Sequence, residues 1–165
     1  MTVKTPIPAT ILTGFLGSGK TTLLNRILSE AHGEKIAVIE NEFGEVGIDN
    51  ELLLVGEEQI VEMNNGCICC TVRGDLVRIL SELKEKRSRG ELAFERVIIE
   101  TTGMANPGPV TQTFFMEDDI ASYYLLDAVI TLVDAKHGHA TLDAQPEAQN
   151  QVGFADRILL TKTDL

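Results

Sequence analysis

Basic charge is scarce in this chain. Fourteen Lys and Arg face 25 Asp and Glu over 165 residues, a formal net charge of −11. So acidic a surface disfavours nucleic acid as a partner, because phosphate backbones are met by clustered Lys and Arg. It equally disfavours anionic membranes. Long apolar runs are missing too, and nothing approaches the roughly 20 residues that span a bilayer. The opening stretch, MTVKTPIPATILTGF, holds no long apolar segment and no small-residue cleavage site. Aromatics make up only 5%, and Phe114, Phe115, Tyr123 and Tyr124 read as packing residues rather than a base-stacking platform. Internal repeats and low-complexity tracts are absent. Cysteine is limited to Cys67, Cys69 and Cys70. Thiols this close make a poor disulfide framework, and adjacent Cys69 and Cys70 would bridge only with strain. A reducing cytoplasm is the expected compartment.

What is present is a repeated alternation. The length suits one domain with a sizeable core. Apolar runs at 9–13, 35–40, 96–100, 128–133 and 157–160 read as buried strands. Between them, Leu23, Leu24, Ile27 and Leu28 share one helical face, as do Leu76, Ile79, Leu80 and Leu83 in a helix expected over 75–86. One or two short strands are expected within 51–63. Continuous apolar strands separated by helices predict an α/β domain: a mainly parallel sheet with helices on both faces. The run Thr161-Lys162-Thr163-Asp164-Leu165 follows the last strand directly, so a chain truncated at its C-terminus is expected.

Gly14-Phe15-Leu16-Gly17-Ser18-Gly19-Lys20-Thr21 fits G-x-x-x-x-G-K-[ST] and falls between a strand and a helix, the arrangement of a P-loop NTPase. Glycines let backbone N–H groups turn in around phosphate oxygens, and the helix that follows offers its positive end. Gly14, Gly17, Ser18, Gly19, Lys20, Thr21 and Thr22 are the expected phosphate contacts. Lys20 sets its charge against the β- and γ-phosphates, and the Thr21 hydroxyl can ligate Mg²⁺. Glu100, ending the strand before Thr101-Thr102-Gly103, stands where a second Mg²⁺ carboxylate belongs; Glu42 is another candidate. Asp164 can accept hydrogen bonds from the N1–H and exocyclic amine of guanine, a donor pair adenine lacks, and the Lys162 stem can cover the base. GTP is therefore the expected nucleotide.

The three cysteines follow Asn64-Asn65-Gly66, a turn signal. They read as soft ligands for a soft metal, with a buried apolar cluster or a redox switch as alternatives. In a strand, Cys67 and Cys69 would share a face while Cys70 points away. In a helix, Cys67 and Cys70 would be neighbours. A turn leading into the helix near Asp75 could gather all three. An open site of this kind suits metal transfer better than a closed structural clamp.

With these motifs in hand, the chain resembles the CobW-type GTPases, relatives of the UreG and HypB metal-centre GTPases. The resemblance rests on GFLGSGKTTLL (14–24), ENEFGEVGID (40–49), NGCICC (65–70), IIETTG (98–103), NPGPV (106–110), LVDAKH (132–137) and DRILLTKTD (156–164). It implies a slow GTPase and metallochaperone that carries zinc, or cobalt or nickel, to a metal-requiring client protein. It implies Lys20, Thr21 and Glu100 as catalytic residues, and Glu40 and Glu45 as acidic partners of Cys69 and Cys70. A nucleotide- or metal-dependent homodimer is a further expectation. The family's guanine motif is usually Asn-Lys-x-Asp; Thr161 replaces the Asn here, which should weaken one polar contact and leave Asp164. The resemblance also implies a further C-terminal domain and a last guanine-contacting loop, neither of which is in residues 1–165. Competing readings are a non-catalytic GTP-gated metal buffer or sensor, and an ATP-dependent small-molecule kinase, which Asp164 argues against.

Overall fold

The computed structural model describes residues 5–30, 33–41, 59–62, 66–72 and 76–165. Glu42, Glu45 and the rest of the acidic loop to Asp49, together with Asp75, lie outside them. The strands β1 (Ile7–Gly14), β2 (Ile36–Asn41), β3 (Gln59–Glu62), β4 (Ile68–Val72), β5 (Arg96–Thr101), β6 (Tyr124–Asp134) and β7 (Arg157–Thr161) form a sheet in the order β3-β4-β2-β5-β1-β6-β7. Among the described residues only the β3–β4 pair is antiparallel. The helices are α1 (Lys20–Ser29), α2 (Leu76–Ser88), α3 (Gly108–Met116), α4 (Asp118–Ala121), α5 (Gly138–Ala144) and α6 (Pro146–Gly153). Among the described residues no helix is long and apolar enough to cross a membrane.

Alternation along the strands sorts the core into two layers. Leu12, Val38, Ile98 and Leu132 pack under Leu24 and Leu28 of α1. Ile11, Ile39, Val97, Ile99 and Val129 face the other way, under Ile79, Leu80 and Leu83 of α2 and Val110 and Phe114 of α3. Each fully buried leucine of this kind contributes about 2–5 kcal/mol by the cost of its truncation to Ala. The phenol of Tyr124 keeps its buried hydroxyl satisfied by donating to the Leu80 carbonyl, 2.7 Å away, as a buried O–H requires.

The predicted strands and the α1 and α2 patterns appear within a few residues of their expected positions. One expectation is corrected. The run 157–160 does form β7, but as an exposed edge: Ile158, Leu159 and Leu160 keep 49%, 42% and 63% of their surface. An apolar run specifies a strand, not what covers it, and among the described residues β7 pairs with β6 alone. Of the alternatives open for the cysteine run, the structure shows the strand: Cys69 and Cys70 lie in the interior strand β4, and Cys67 directly precedes it. Ile68 is β-branched and suits a pleated surface, and thiols are small enough to pack there.

Candidate nucleotide and metal site

β1 delivers Gly14 to the carboxyl edge of the sheet, where the chain must turn tightly. A Cβ on Gly14 would sit 2.5 Å from Ser18 Oγ and 2.7 Å from the Leu132 carbonyl, so no side chain fits. Gly17 and Gly19 hold φ of 76° and 104°. Gly19 caps α1 without a side-chain hydrogen bond, which leaves the first N–H groups of the helix to meet an anion. Lys20 opens α1; its ammonium donates to the carbonyls of Gly14 at 2.5 Å and Phe15 at 3.2 Å. Burial pulls the Lys20 ammonium below its ordinary pKa, and the Glu100 carboxylate opposes that pull. Thr21 and Thr22 are exposed on the first turn of α1, and Ser18 is buried.

A row of acidic and thiol groups lies beside this loop. Glu100 is in register with Leu12 on one neighbouring strand and with Glu40 on the other, and Val38 is in register with Cys69. Glu100, Glu40 and Cys69 therefore share the α1 face of the sheet. Burial raises the pKa of Glu100, Glu40 raises it further, and Lys20 lowers it. Burial likewise raises the Cys69 thiol, with Glu40 and then Glu100 adding to the effect. Two carboxylates and a thiol balanced by one lysine form a site short of positive charge. Thr21 and Glu100 carry the hard oxygens that a Mg²⁺ ion prefers.

The three thiols do not converge. Cys67, 1% exposed, packs with Val38 and Leu24 on the α1 face, its Sγ 3.8 Å from the Glu34 carbonyl. Cys70, fully buried, packs with Leu80 and Ile99 on the other. Cys69 is half-buried between them in sequence and shares the face of Cys67. The strand period of two explains the split. Among the described residues no group of three His, Cys, Asp or Glu side chains is arranged to hold a metal ion. Glu42 and Glu45 lie outside the described residues.

The end of β7 reaches the phosphate loop from the other side. The Thr161 hydroxyl donates to the Ser18 carbonyl at 2.6 Å, so Thr161 makes a polar contact to the P-loop backbone. Lys162 adopts φ 56°, unusual for a residue with a side chain. Its ammonium donates to the Gly17 carbonyl at 2.6 Å and to Asp134 Oδ2 at 3.1 Å. Asp134, which the sequence reading passed over, ends β6. Its carboxylate is held well below the usual range by the His137 ring first, then by Lys162 and the backbone N–H groups of His137 and Lys136. The signal available for it was an acid at a strand end followed by Lys and His. His137 and His139 are exposed, and His137 Nδ1 lies 3.1 Å from Asp134 Oδ2. Asp164 is exposed at the same edge of the sheet.

Comparison with known proteins agrees with this geometry. The CobW/HypB/UreG nucleotide-binding domain matches residues 8–165. The zinc chaperone YjiA of Escherichia coli (strain K12) is 54% identical over 160 residues, spanning 97% of this chain and 50% of that protein. The zinc-regulated GTPase metalloprotein activator 1 of Schizosaccharomyces pombe is 40% identical over 171 residues, spanning 97% of this chain and 40% of its own length. The crystal structure of Zn(II)-bound YjiA GTPase from E. coli superposes with a TM-score of 0.83 at 54% identity, covering 97% of this chain and 50% of that one. The chain thus spans half or less of the length of these relatives.

Proposed function

Because the chain belongs to the CobW/HypB/UreG nucleotide-binding family, we propose that it is the GTP-binding and GTP-hydrolysing module of a metallochaperone that passes zinc to client proteins. The observation that carries the reading is the shared sheet face: Lys20 and Glu100 of the nucleotide site are continuous with Glu40 and Cys69. Relatives named as a zinc chaperone and as a zinc-regulated GTPase support it.

The chain's own groups divide the work. Backbone N–H groups of 17–21 and the Lys20 ammonium bind the phosphates, exchanging the Gly14 and Phe15 carbonyls for phosphate oxygens. Thr21 and Glu100 hold Mg²⁺, which when bound neutralises charge that develops on the transferred phosphoryl group. Thr161 and Lys162 tie the base-reading end of β7 to the P-loop, and Asp164 accepts from the guanine edge.

Zinc is the cargo. Cys69 and Glu40 offer one soft and one hard donor on the nucleotide-facing side of the sheet, and an incomplete donor set suits a metal that must leave. Cys69 and Glu40 share one sheet face with Glu100, so zinc binding and Mg²⁺-GTP binding are coupled. By linkage the two effects are equal. The test is zinc competition on the full-length protein with GTP, with GDP and without nucleotide. Zinc affinity should differ between the GTP and GDP states, and zinc should change the preference for GTP over GDP by the same factor. Equal zinc affinities in all three states would sink the reading.

A further inference from the structure

Gln151 lies on α6, outside every motif described above, and is 1% exposed. Its side-chain amide donates to the carbonyl of Gly103 at 2.9 Å and to that of Ala105 at 3.2 Å. Its own backbone carbonyl, in the last turn of α6, accepts from the Thr131 hydroxyl at 2.9 Å. Three bonds therefore fasten one helix to the loop that follows Glu100 and to β6. A buried amide with both N–H bonds spent on loop carbonyls is more specific than packing demands, since Leu or Met would fill the same volume.

What the amide holds is the loop that touches the phosphate cradle. A Cβ on Gly103 would lie 2.7 Å from the Leu16 nitrogen and 2.9 Å from its Cα. The Gly103 backbone thus rests directly on the P-loop. Peptide planarity then fixes the Met104 N–H opposite the anchored Gly103 carbonyl. The chain of contact runs from α6 through Gln151 to Gly103 and on to Leu16. A cavity of about 250 Å³ between the P-loop and α6 is lined among others by Leu16, Thr131 and Gln151.

We propose that Gln151 is a positioning residue for the nucleotide's terminal phosphate. It clamps the loop at 102–107 against the P-loop, so that this loop and α6 respond as one unit to the difference between GTP and GDP. The inference rests on the GTPase reading above. A clamp of this kind contributes to GTP affinity and to turnover more than to GDP affinity, because the loop continues directly from Glu100, which interacts with Lys20, the lysine that sets its charge against the β- and γ-phosphates.

The test uses the full-length protein and the variants Gln151→Leu and Gln151→Glu, the second keeping shape while losing the N–H donors. GTP and GDP affinities are measured separately, with kcat and KM for GTP. In both variants GTP affinity should fall about tenfold relative to GDP, the equivalent of roughly one net hydrogen bond, with kcat reduced and GDP affinity within about twofold. Equal losses for both nucleotides, or no loss, overturn the proposal. Where either variant fails to fold, Thr131→Val supplies the same measurement by loosening α6 without touching the amide. It should shift the GTP-to-GDP ratio in the same direction, and an unchanged ratio counts against the clamp. Failure of the unmodified protein to bind either nucleotide would overturn the GTPase reading itself, whereas normal binding with an unaltered ratio in the variants overturns the clamp alone.

Discussion

Glu40 and Glu100 stand in register across β2 and β5, and after burial itself Glu40 does most to raise the Glu100 pKa. The pair has a consequence for pH. A carboxyl with a raised pKa must be deprotonated before it can hold Mg²⁺, so the acidic limb of Mg²⁺-dependent GTP binding lies above that of an ordinary glutamate. Glu40→Gln removes a like charge and should move that limb to lower pH, as read with a fluorescent nucleotide across a pH series. An unmoved limb would separate the two residues electrostatically.

The same shift has a stability sign. A raised folded-state pKa means that the protonated form suits the fold, so the contribution is present at low pH and lost as pH rises through the raised value. Glu100→Gln should therefore raise the melting temperature at neutral pH while abolishing Mg²⁺-dependent hydrolysis. The gain should shrink towards zero in acid, where Glu100 is already protonated. A melting temperature lowered at neutral pH would contradict this assignment. Stability gained at the expense of activity is common where a functional group is held in an unfavourable setting.

The thiols differ in accessibility and in charge surroundings. Cys67 and Cys70 are buried and Cys69 is half-buried, so native alkylation by iodoacetamide should label Cys69 first and the others only on unfolding. The rate should be slow at neutral pH, because burial first, and then Glu40 and Glu100, disfavour the thiolate. Glu40→Gln should speed it, and peptide mapping by mass spectrometry reads both effects. Early labelling of Cys70 would mean that β4 opens in solution, the movement that convergence of all three thiols on one ion requires.

The P-loop was legible because its chemistry is local: glycines, Lys20 and Thr21 act within eight consecutive positions. The parallel sheet was legible for a similar reason, since strands buried on both faces leave continuous apolar runs. The cysteines were harder. Their closeness in sequence suggested closeness in space, but a strand sends Cys69 and Cys70 to opposite faces, and only the pairing partners of β4 reveal that it is a strand. Gln151 was invisible because its role depends on carbonyls 46 and 48 positions away. The exposure of β7 depends on neighbours that no run of apolar residues names.

Thr161 tests how far β7 and the phosphate loop depend on each other. Its hydroxyl donates to the Ser18 carbonyl, while its contact to the Val133 carbonyl is long at 3.4 Å. Thr161→Val keeps the shape and deletes the donor, and should cost about 1 kcal/mol in urea unfolding. GTP and GDP affinity should weaken together, because the tie steadies the cradle rather than the terminal phosphate. Thr161→Asn, the residue usual in the family, should restore the contact. A variant that loses GTP affinity alone would place Thr161 in the same clamp as Gln151 and not in a separate one.

Asp164 carries the choice of base in the proposed mechanism, and its chemistry can be inverted. A carboxylate accepts from the N1–H and exocyclic amine of guanine. An amide offers one acceptor and one donor in the same place, which mismatches guanine and matches xanthine, where a carbonyl replaces the exocyclic amine. Asp164→Asn should cost about 1–3 kcal/mol in GTP binding, the loss expected when a paired polar edge is mismatched, and should improve binding of xanthosine triphosphate over the unmodified protein. Asp164 is exposed, so the fold should be unaffected and circular dichroism unchanged. Competition between GTP, ATP and xanthosine triphosphate for both proteins measures the switch. If the substitution leaves the guanine preference intact, the base is read by another residue, and the phosphate loop must then be supported by Thr161 and Lys162 without the partner that their spacing implies.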